Sequence, residues 1–154
     1  MIVGHGLVER QLLGPATATG APEQGSVVLR RYRCRACRAV LLVGPRGLVR
    51  RRWYGAGAMA VAFSVVAGGG SGATARDRTS PQRTVGVASA DRWITLDRWL
   101  AAARRGELFG IDGLDGLARR TVAEHVVLVL AARGGRDLGA DLVERAFAGA
   151  AMAA

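Results

Sequence analysis

Cys34 and Cys37 are the residues of this chain whose type and spacing most directly suggest chemistry. They are its only cysteines, and a Cys-x-x-Cys turn places two thiolates on one side of a metal ion, as in half of a tetrahedral zinc site. Of the two histidines, His5 and His125, His5 lies in the glycine-flanked segment VGHG. We therefore predict an incomplete zinc site of Cys34, Cys37 and His5, with water, Glu9 or another chain as the fourth ligand.

Two other interpretations of the cysteines stay open. A redox pair requires a helix that starts at the cysteines, and strand-like segments lie on both sides of this turn. Two reduced cysteines in an ordinary turn are the other possibility. His125 has the environment of a structural helix histidine. No nucleophile elbow, phosphate loop or HExxH motif occurs and the acidic residues are scattered, so we predict no enzymatic activity.

The charge of the chain is unevenly distributed. The net charge is +10, and all 22 basic residues are arginine. Residues 1–54 contain ten arginines and two glutamates, whereas residues 55–154 contain twelve arginines and ten acidic residues. A local excess of guanidinium groups favours a nucleic-acid partner, because guanidinium forms forked hydrogen bonds to phosphate and to guanine. A solubilising arginine surface is the alternative.

The arginines around the cysteines are candidate DNA contacts. On a strand, Arg31, Arg33 and Arg35 would share one face and could follow a phosphate backbone. Farther along, Thr95 and Arg98 lie on the polar face of a predicted helix that could enter the major groove. The other predicted DNA contacts are Arg38, Arg50, Arg51 and Arg52, with Tyr32, Trp53 and Tyr54 interleaved among them.

The first half of the chain must supply the elements that hold these residues. Residues 14–26 read as a loop between strand-like segments. SVVLRRYR, the CRAC turn and AVLLV then predict strand, tight turn, strand. AGAMAVAFSVVA predicts a helix that ends at Gly68, and a short helix before Pro81 is possible.

Three further helices are predicted in the second half. The segment ASADRWITLDRWLAAARR begins with Ser89 as a candidate cap and Asp91 in the first turn, and Gly106 closes it. Its apolar face contains Trp93, Leu96, Leu100 and Ala103. A glycine-punctuated loop follows, then a largely buried helix, TVAEHVVLVLAAR, and an amphipathic one, LGADLVERAFAGAAMAA.

Residues 53–75 carry no charge, so a membrane segment has to be considered. The apolar centre is only twelve residues long, which fits a buried helix better. The remaining alternatives to DNA binding are a small membrane-associated protein anchored through residues 55–67 and a degenerate helical interaction module that pairs through AFAGAAMAA. Two cysteines without a preceding signal peptide favour the cytoplasm.

The string RRYRCRACRAVLLVGPRGLVRRRWYGAGAMAVAF resembles the amino-terminal zinc-ribbon region of bacterial insertion-sequence transposases and their transposase-like relatives. ADRWITLDRWL is similar to the helix that ends a helix-turn-helix unit in such proteins. The resemblance covers roughly residues 27–105, and it implies that Cys34 and Cys37 bind zinc and that the neighbouring arginines contact DNA. Two parts of the family pattern are missing, the first Cys-x-x-Cys and the ribonuclease-like catalytic domain, so we expect the first cysteine pair to lie upstream of Met1.

The resulting prediction is an α+β protein. Residues 1–52 would form a degenerate, zinc-ribbon-like β-hairpin. Residues 53–154 would form a helical domain, with a helix-turn-helix-like unit at 58–106 and a helical carboxyl-terminal part at 115–153. The predicted function is DNA binding by a transposase-like protein without a catalytic domain, as a monomer or a homodimer.

Overall fold

A small antiparallel sheet followed by helices makes up the protein. The computed structural model describes residues 1–82, 92–135 and 139–154. The strands are β1 (Ile2–Pro15), β2 (Pro22–Cys34) and β3 (Val40–Val43). The helices of the described part are α1 (Ala56–Ala67), α2 (Gly72–Thr79), α3 (Ile94–Arg104), α4 (Arg119–Arg133) and α5 (Leu142–Ala153). The predicted α+β class is confirmed at this coarse level.

The sheet has the order β1-β2-β3, and both pairings are antiparallel. The predicted strand, tight turn and strand over 26–43 are confirmed. The turn is closed by the Cys34 N–H, which donates to the Ala39 carbonyl at 2.9 Å, and by the Arg38 N–H, which donates to the Cys34 carbonyl at 3.0 Å.

The loop predicted over residues 14–26 is much shorter than expected. Gly14 and Pro15 belong to β1, and β2 begins at Pro22, so only residues 16–21 connect the strands. Residues 23–26 have weak strand propensity, but each is paired with a residue of β1. Cross-strand pairing therefore overrides local preference here.

The two ends of the sheet have different surroundings. Near the 16–21 turn, Leu13 is buried, its N–H donates to the Trp53 carbonyl at 2.8 Å, and its own carbonyl accepts from Gly55. Gly14 lies so close to Ala58 of α1 that a Cβ at this position would collide with it, which explains why β1 carries a glycine here. Residues 30–43 and the paired residues 1–7, which we call the arm, extend beyond this attachment and are mostly exposed.

Helices α1, α4 and α5 pack together through small residues and form most of the core. A Cβ at Gly57 of α1 would lie 2.5 Å from the Phe147 ring of α5. A Cβ at Gly149 of α5 would collide with the Leu130 carbonyl of α4. The glycines therefore allow the helix axes to approach closely, and Met59 and other apolar side chains fill the remaining space.

Helix α1 contains most of the segment considered as a membrane anchor, and it is largely buried in the core. Every residue from Ala56 to Phe63 is buried, and α1 packs against α4 and α5. Among the described residues, no helix is long and apolar enough to cross a membrane.

Helix α3 exists as predicted but begins later. Its N-cap is Trp93, which makes no side-chain cap hydrogen bond. The predicted cap Ser89 and first-turn Asp91 lie outside the described residues, and the described helix begins at Ile94. The predicted apolar face is confirmed: Trp93, Leu96, Leu100 and Ala103 are all buried.

The predicted helix-turn-helix unit over 58–106 stays a prediction. Helices α1 and α2 are joined by residues 68–71. Residues 83–91, which precede α3, lie outside the described residues, so the connection from α2 to the predicted recognition helix is not described.

Candidate nucleic-acid interface

Two arginines of the arm share one face of β2. Arg31 pairs with Leu42 of β3 and Arg33 pairs with Val40, and residues two apart on a strand point to the same side. The predicted third member of this row, Arg35, is not on the strand, because β2 ends at Cys34. Arg35 lies in the exposed turn, and its N–H donates to the Met1 carbonyl at 3.0 Å.

The cysteine turn forms the free end of the arm. Cys34 is partly exposed and Cys37 is exposed. The backbone N–H groups of Cys37 and Ala36 donate to the Cys34 sulfur, and these hydrogen bonds, with one from the Cys37 side chain, lower the pKa of the Cys34 thiol. Arg38, at the end of the turn, has a φ of 59°.

The predicted zinc ligand set is not gathered into one site. His5 is exposed and lies where the register of β1 and β2 shifts, between Gly4 and Leu7. In residues 1–82, 92–135 and 139–154, no three His, Cys, Asp or Glu side chains are grouped so that they could hold a metal ion. Two thiolates alone do not close the tetrahedral coordination of a structural zinc ion, so the residues present in one chain do not fit the predicted site.

A second group of arginines lines a cleft beside the core. The cleft has a volume of about 640 Å³, and its walls are residues 49–52, residues 107–110 and the end of α5. Arg51 and Phe109 both line the cleft and have φ values of 57° and 61°, a conformation that non-glycine residues adopt at a cost. Arg133 donates to the Phe109 carbonyl at 2.5 Å and so holds one wall in place.

Sequence reasoning missed the second wall of this cleft. Glu107 accepts two hydrogen bonds from Arg105, at 2.6 and 2.8 Å. These bonds, together with the charges of Arg105 and Arg52, hold the pKa of Glu107 below its usual value, and they raise the pKa of Arg105. From the sequence, the glycine-rich segment ELFGIDG predicted a loop, but nothing indicated that this loop forms a wall of the cleft.

An aromatic cluster joins the basic segment 50–52 to α3. Tyr54 makes edge-to-face contacts with Trp93 and Trp99, with ring centroids 5.6 and 5.1 Å apart. The two tryptophans contact each other at 5.0 Å, and the Tyr54 hydroxyl is 2.8 Å from the Ser80 hydroxyl. Tyr54 was predicted to lie among the DNA contacts. It is buried instead, against Trp93 and Trp99.

The other aromatic and helical candidates are accessible to different degrees. Trp53 is 63% exposed, whereas Tyr32 is partly buried on β2. On α3, Arg98 is exposed and Thr95 is partly buried. Arg98 and Trp53 are therefore free to contact a partner.

The ion pairs of the described chain involve arginines outside positions 30–52. In the helical part, Asp97 binds Arg92 and Arg119, at 2.7 and 3.1 Å, and Glu124 binds Arg120 at 2.8 Å. Across the described ranges, no acidic residue lies within ion-pair distance of any arginine between positions 30 and 52. These nine unpaired arginines are Arg30, Arg31, Arg33, Arg35, Arg38, Arg46, Arg50, Arg51 and Arg52.

No protein-family model, curated protein or solved structure matches the chain.

Proposed function

We propose that this protein binds DNA through the arginines of the arm and of the segment 50–52. The observation that carries the proposal is the absence of ion pairs at positions 30–52 within the described chain, whereas five arginines outside this stretch form ion pairs. Guanidinium groups without an acidic partner can bind phosphate oxygens. The release of condensed counterions would then drive binding.

Each part of the interface would have its own task. Arg31 and Arg33, which lie two residues apart on the same face of β2, would bind successive phosphates of the DNA. Arg50 and Arg52, beside the cleft, would bind the DNA backbone. Trp53, exposed next to Arg52, could stack on a base or sugar. Arg98, exposed on the helix that carries Trp99 of the aromatic cluster, would be the contact to base edges.

The relation to transposase-like proteins rests on the sequence resemblance over residues 27–105. We propose a DNA-binding role of this type in the cytoplasm, without a catalytic role. An Arg-rich strand that runs into a Cys-x-x-Cys turn, followed by a basic segment and an aromatic pair, supports the proposal.

The interaction-module alternative is less well supported. Ala146, Gly149 and Ala150, the small residues through which two chains would pair, are buried inside the protein itself. Self-association through AFAGAAMAA would first require α5 to separate from α4.

A pair of matched variants tests the proposal. The first, Arg31→Gln/Arg33→Gln, removes two unpaired arginines from the arm. The second, Arg119→Gln/Arg120→Gln, removes the same charge from two arginines that are paired with acidic residues. DNA affinity is measured for both by fluorescence anisotropy with a short duplex at moderate salt.

The arm variant is expected to bind DNA at least tenfold more weakly than the control variant. The reason is that each lost phosphate contact removes a counterion-release contribution, whereas the control arginines are already neutralised. Equal losses in the two variants would mean that only net charge matters, and the proposed interface would be wrong.

A further inference from the structure

Two walls of the cleft beside the core are each held in place by an arginine from another element. The Arg10 guanidinium of β1 donates to the Val49 carbonyl at 2.9 Å, which fixes the wall formed by residues 49–52. Arg133 of α4 donates to the Phe109 carbonyl of the second wall, and the Phe109 ring itself is buried. The fold therefore forms the cleft without help from a ligand.

Strained backbone is concentrated at this cleft. Three non-glycine residues of the described chain have a positive φ, and two of them, Arg51 and Phe109, line the cleft. Such conformations persist only where the surrounding structure enforces them, and they cluster at sites that bind ligands. Two of them on two walls of one cleft indicate a binding role for it.

The cleft has a surplus of positive charge. Within the described chain, Arg50, Arg51 and Arg52 have no acidic side chain at ion-pair distance. The acidic side chain of the lining, Glu107, accepts hydrogen bonds from Arg105 on both of its oxygens. An internal phosphate of DNA carries a single negative charge, whereas a terminal phosphate carries about two near pH 7. Three guanidinium groups therefore favour a terminal phosphate.

We propose that the cleft binds the terminal phosphate of a DNA strand, with the phosphate against Arg50, Arg51 and Arg52. The sugar or base of the end nucleotide would then face Glu107. Its carboxylate repels a phosphate but accepts hydrogen bonds from hydroxyl and amino groups. The inference rests on the proposed DNA binding and deepens it, since the arm would hold the duplex while the cleft receives one strand end.

The size of the cleft fits one nucleotide. Its volume of about 640 Å³ lies in the range of pockets that enclose a small ligand. A duplex is wider than such a cleft, so only an unpaired nucleotide at a strand end can enter it. Trp53, which follows Arg52 in the chain and is 63% exposed, could stack on a neighbouring base.

Two duplexes that differ only in one phosphate provide the test. Both carry the same short unpaired 5′ overhang, which ends in a phosphate in one duplex and in a hydroxyl in the other. Affinities are measured by fluorescence anisotropy at one salt concentration. The unmodified protein should bind the phosphorylated duplex roughly tenfold more tightly, which corresponds to one additional hydrogen bond to a charged group.

A free nucleoside monophosphate carries the same phosphate group, so it is added as a competitor. It lacks the contacts of the duplex to the arm, and it should displace the phosphorylated duplex only at a much higher concentration than the duplex itself. Competition at equal concentration would show that the ligand is a free nucleotide and would overturn the assignment to a strand end.

Two variants with the same loss of charge complete the experiment. Arg50→Gln/Arg52→Gln should bind both duplexes with equal affinity, whereas Arg119→Gln/Arg120→Gln should keep the preference for the phosphate. Circular dichroism shows whether each variant is folded. A preference that survives Arg50→Gln/Arg52→Gln would overturn the proposal.

The measurements on the unmodified protein separate this inference from the proposed function. Equal, measurable affinities for the two duplexes would overturn the role of the cleft and leave the proposed DNA binding intact. No binding of either duplex would overturn both.

Discussion

At the scale of single residues, the neighbours of an arginine decide whether it can take part in binding. The Arg105 guanidinium is bound to Glu107, since its Nε donates to one carboxylate oxygen and a terminal nitrogen donates to the other. Arg31 and Arg33 carry the same group without an acidic partner in the described chain. The residue type is the same in all three, so it is the presence or absence of an acidic partner that distinguishes Arg105 from Arg31 and Arg33.

The Arg105–Glu107 pair gives a pH-dependent prediction. The hydrogen bonds from Arg105 hold the pKa of Glu107 below its ordinary value. The pair therefore stabilises the fold above the ordinary pKa, and this contribution is lost as the pH falls through the folded-state pKa. Arg105→Gln should raise the pKa of Glu107 towards 4.5, as measured by NMR titration of the Glu107 carboxyl carbon. An unchanged pKa would mean that the pair does not form in solution.

Close helix packing at Gly149 gives a second residue-level prediction. Gly149→Ala introduces a methyl group that collides with the Leu130 carbonyl, so α4 and α5 must separate. We expect the free energy of unfolding to fall by about 1–3 kcal/mol, the usual cost of overpacking. Urea denaturation measures this change. Gly25→Ala is the control, because a Cβ there meets no atom within 4 Å, and its stability should change far less.

At the scale of elements, the contact between Tyr54 and α3 connects the basic segment to the helix. Tyr54→Phe keeps the ring contacts with Trp93 and Trp99 but removes the buried hydroxyl that bonds Ser80 at 2.8 Å. The unfolding free energy should fall by about 1 kcal/mol, the usual net contribution of one hydrogen bond. Thermal and urea denaturation would show it.

Tyr32→Phe is the matched control for this change. Tyr32 lies on the arm, only partly buried, and is not part of the aromatic cluster. Its replacement should leave stability nearly unchanged. A loss as large as that of Tyr54→Phe would show that the hydroxyl of Tyr54 has no special role.

Most helices and the β2–β3 hairpin were predictable from the sequence because glycine marks their ends. Gly68 ends α1 and Gly134 ends α4, as the pattern indicated. The extent of β1 and β2 was not predictable, since residues 23–26 become a strand only through pairing with β1. Nor was the start of α3, because its N-cap residue, Trp93, makes no side-chain cap hydrogen bond that a sequence pattern could indicate.

The candidate site was predictable in composition but not in arrangement. The distribution of charge indicated the arginines, and the Cys-x-x-Cys spacing indicated a candidate for half of a metal site. The burial of Tyr54 and the end of β2 before Arg35 depend on tertiary contacts that local patterns do not contain. Glu107 was missed because its importance comes from a neighbour, Arg105, rather than from its position in a motif.

At the scale of the whole molecule, the protein combines a compact helical core with a basic arm. The arm is attached near Leu13 and carries its free arginines and both cysteines towards the exposed end. The basic segment 50–52 lies at the base of the arm, against the core.

The salt dependence of DNA binding tests the central claim most directly. The observed binding constant of the unmodified chain for a short duplex is measured at several salt concentrations. We predict a linear fall of log K with log salt, with a slope that becomes shallower by roughly 0.9 for each phosphate-binding arginine removed by Arg31→Gln and Arg33→Gln. Undetectable DNA binding at low salt, or an affinity that does not change with salt, would contradict the account.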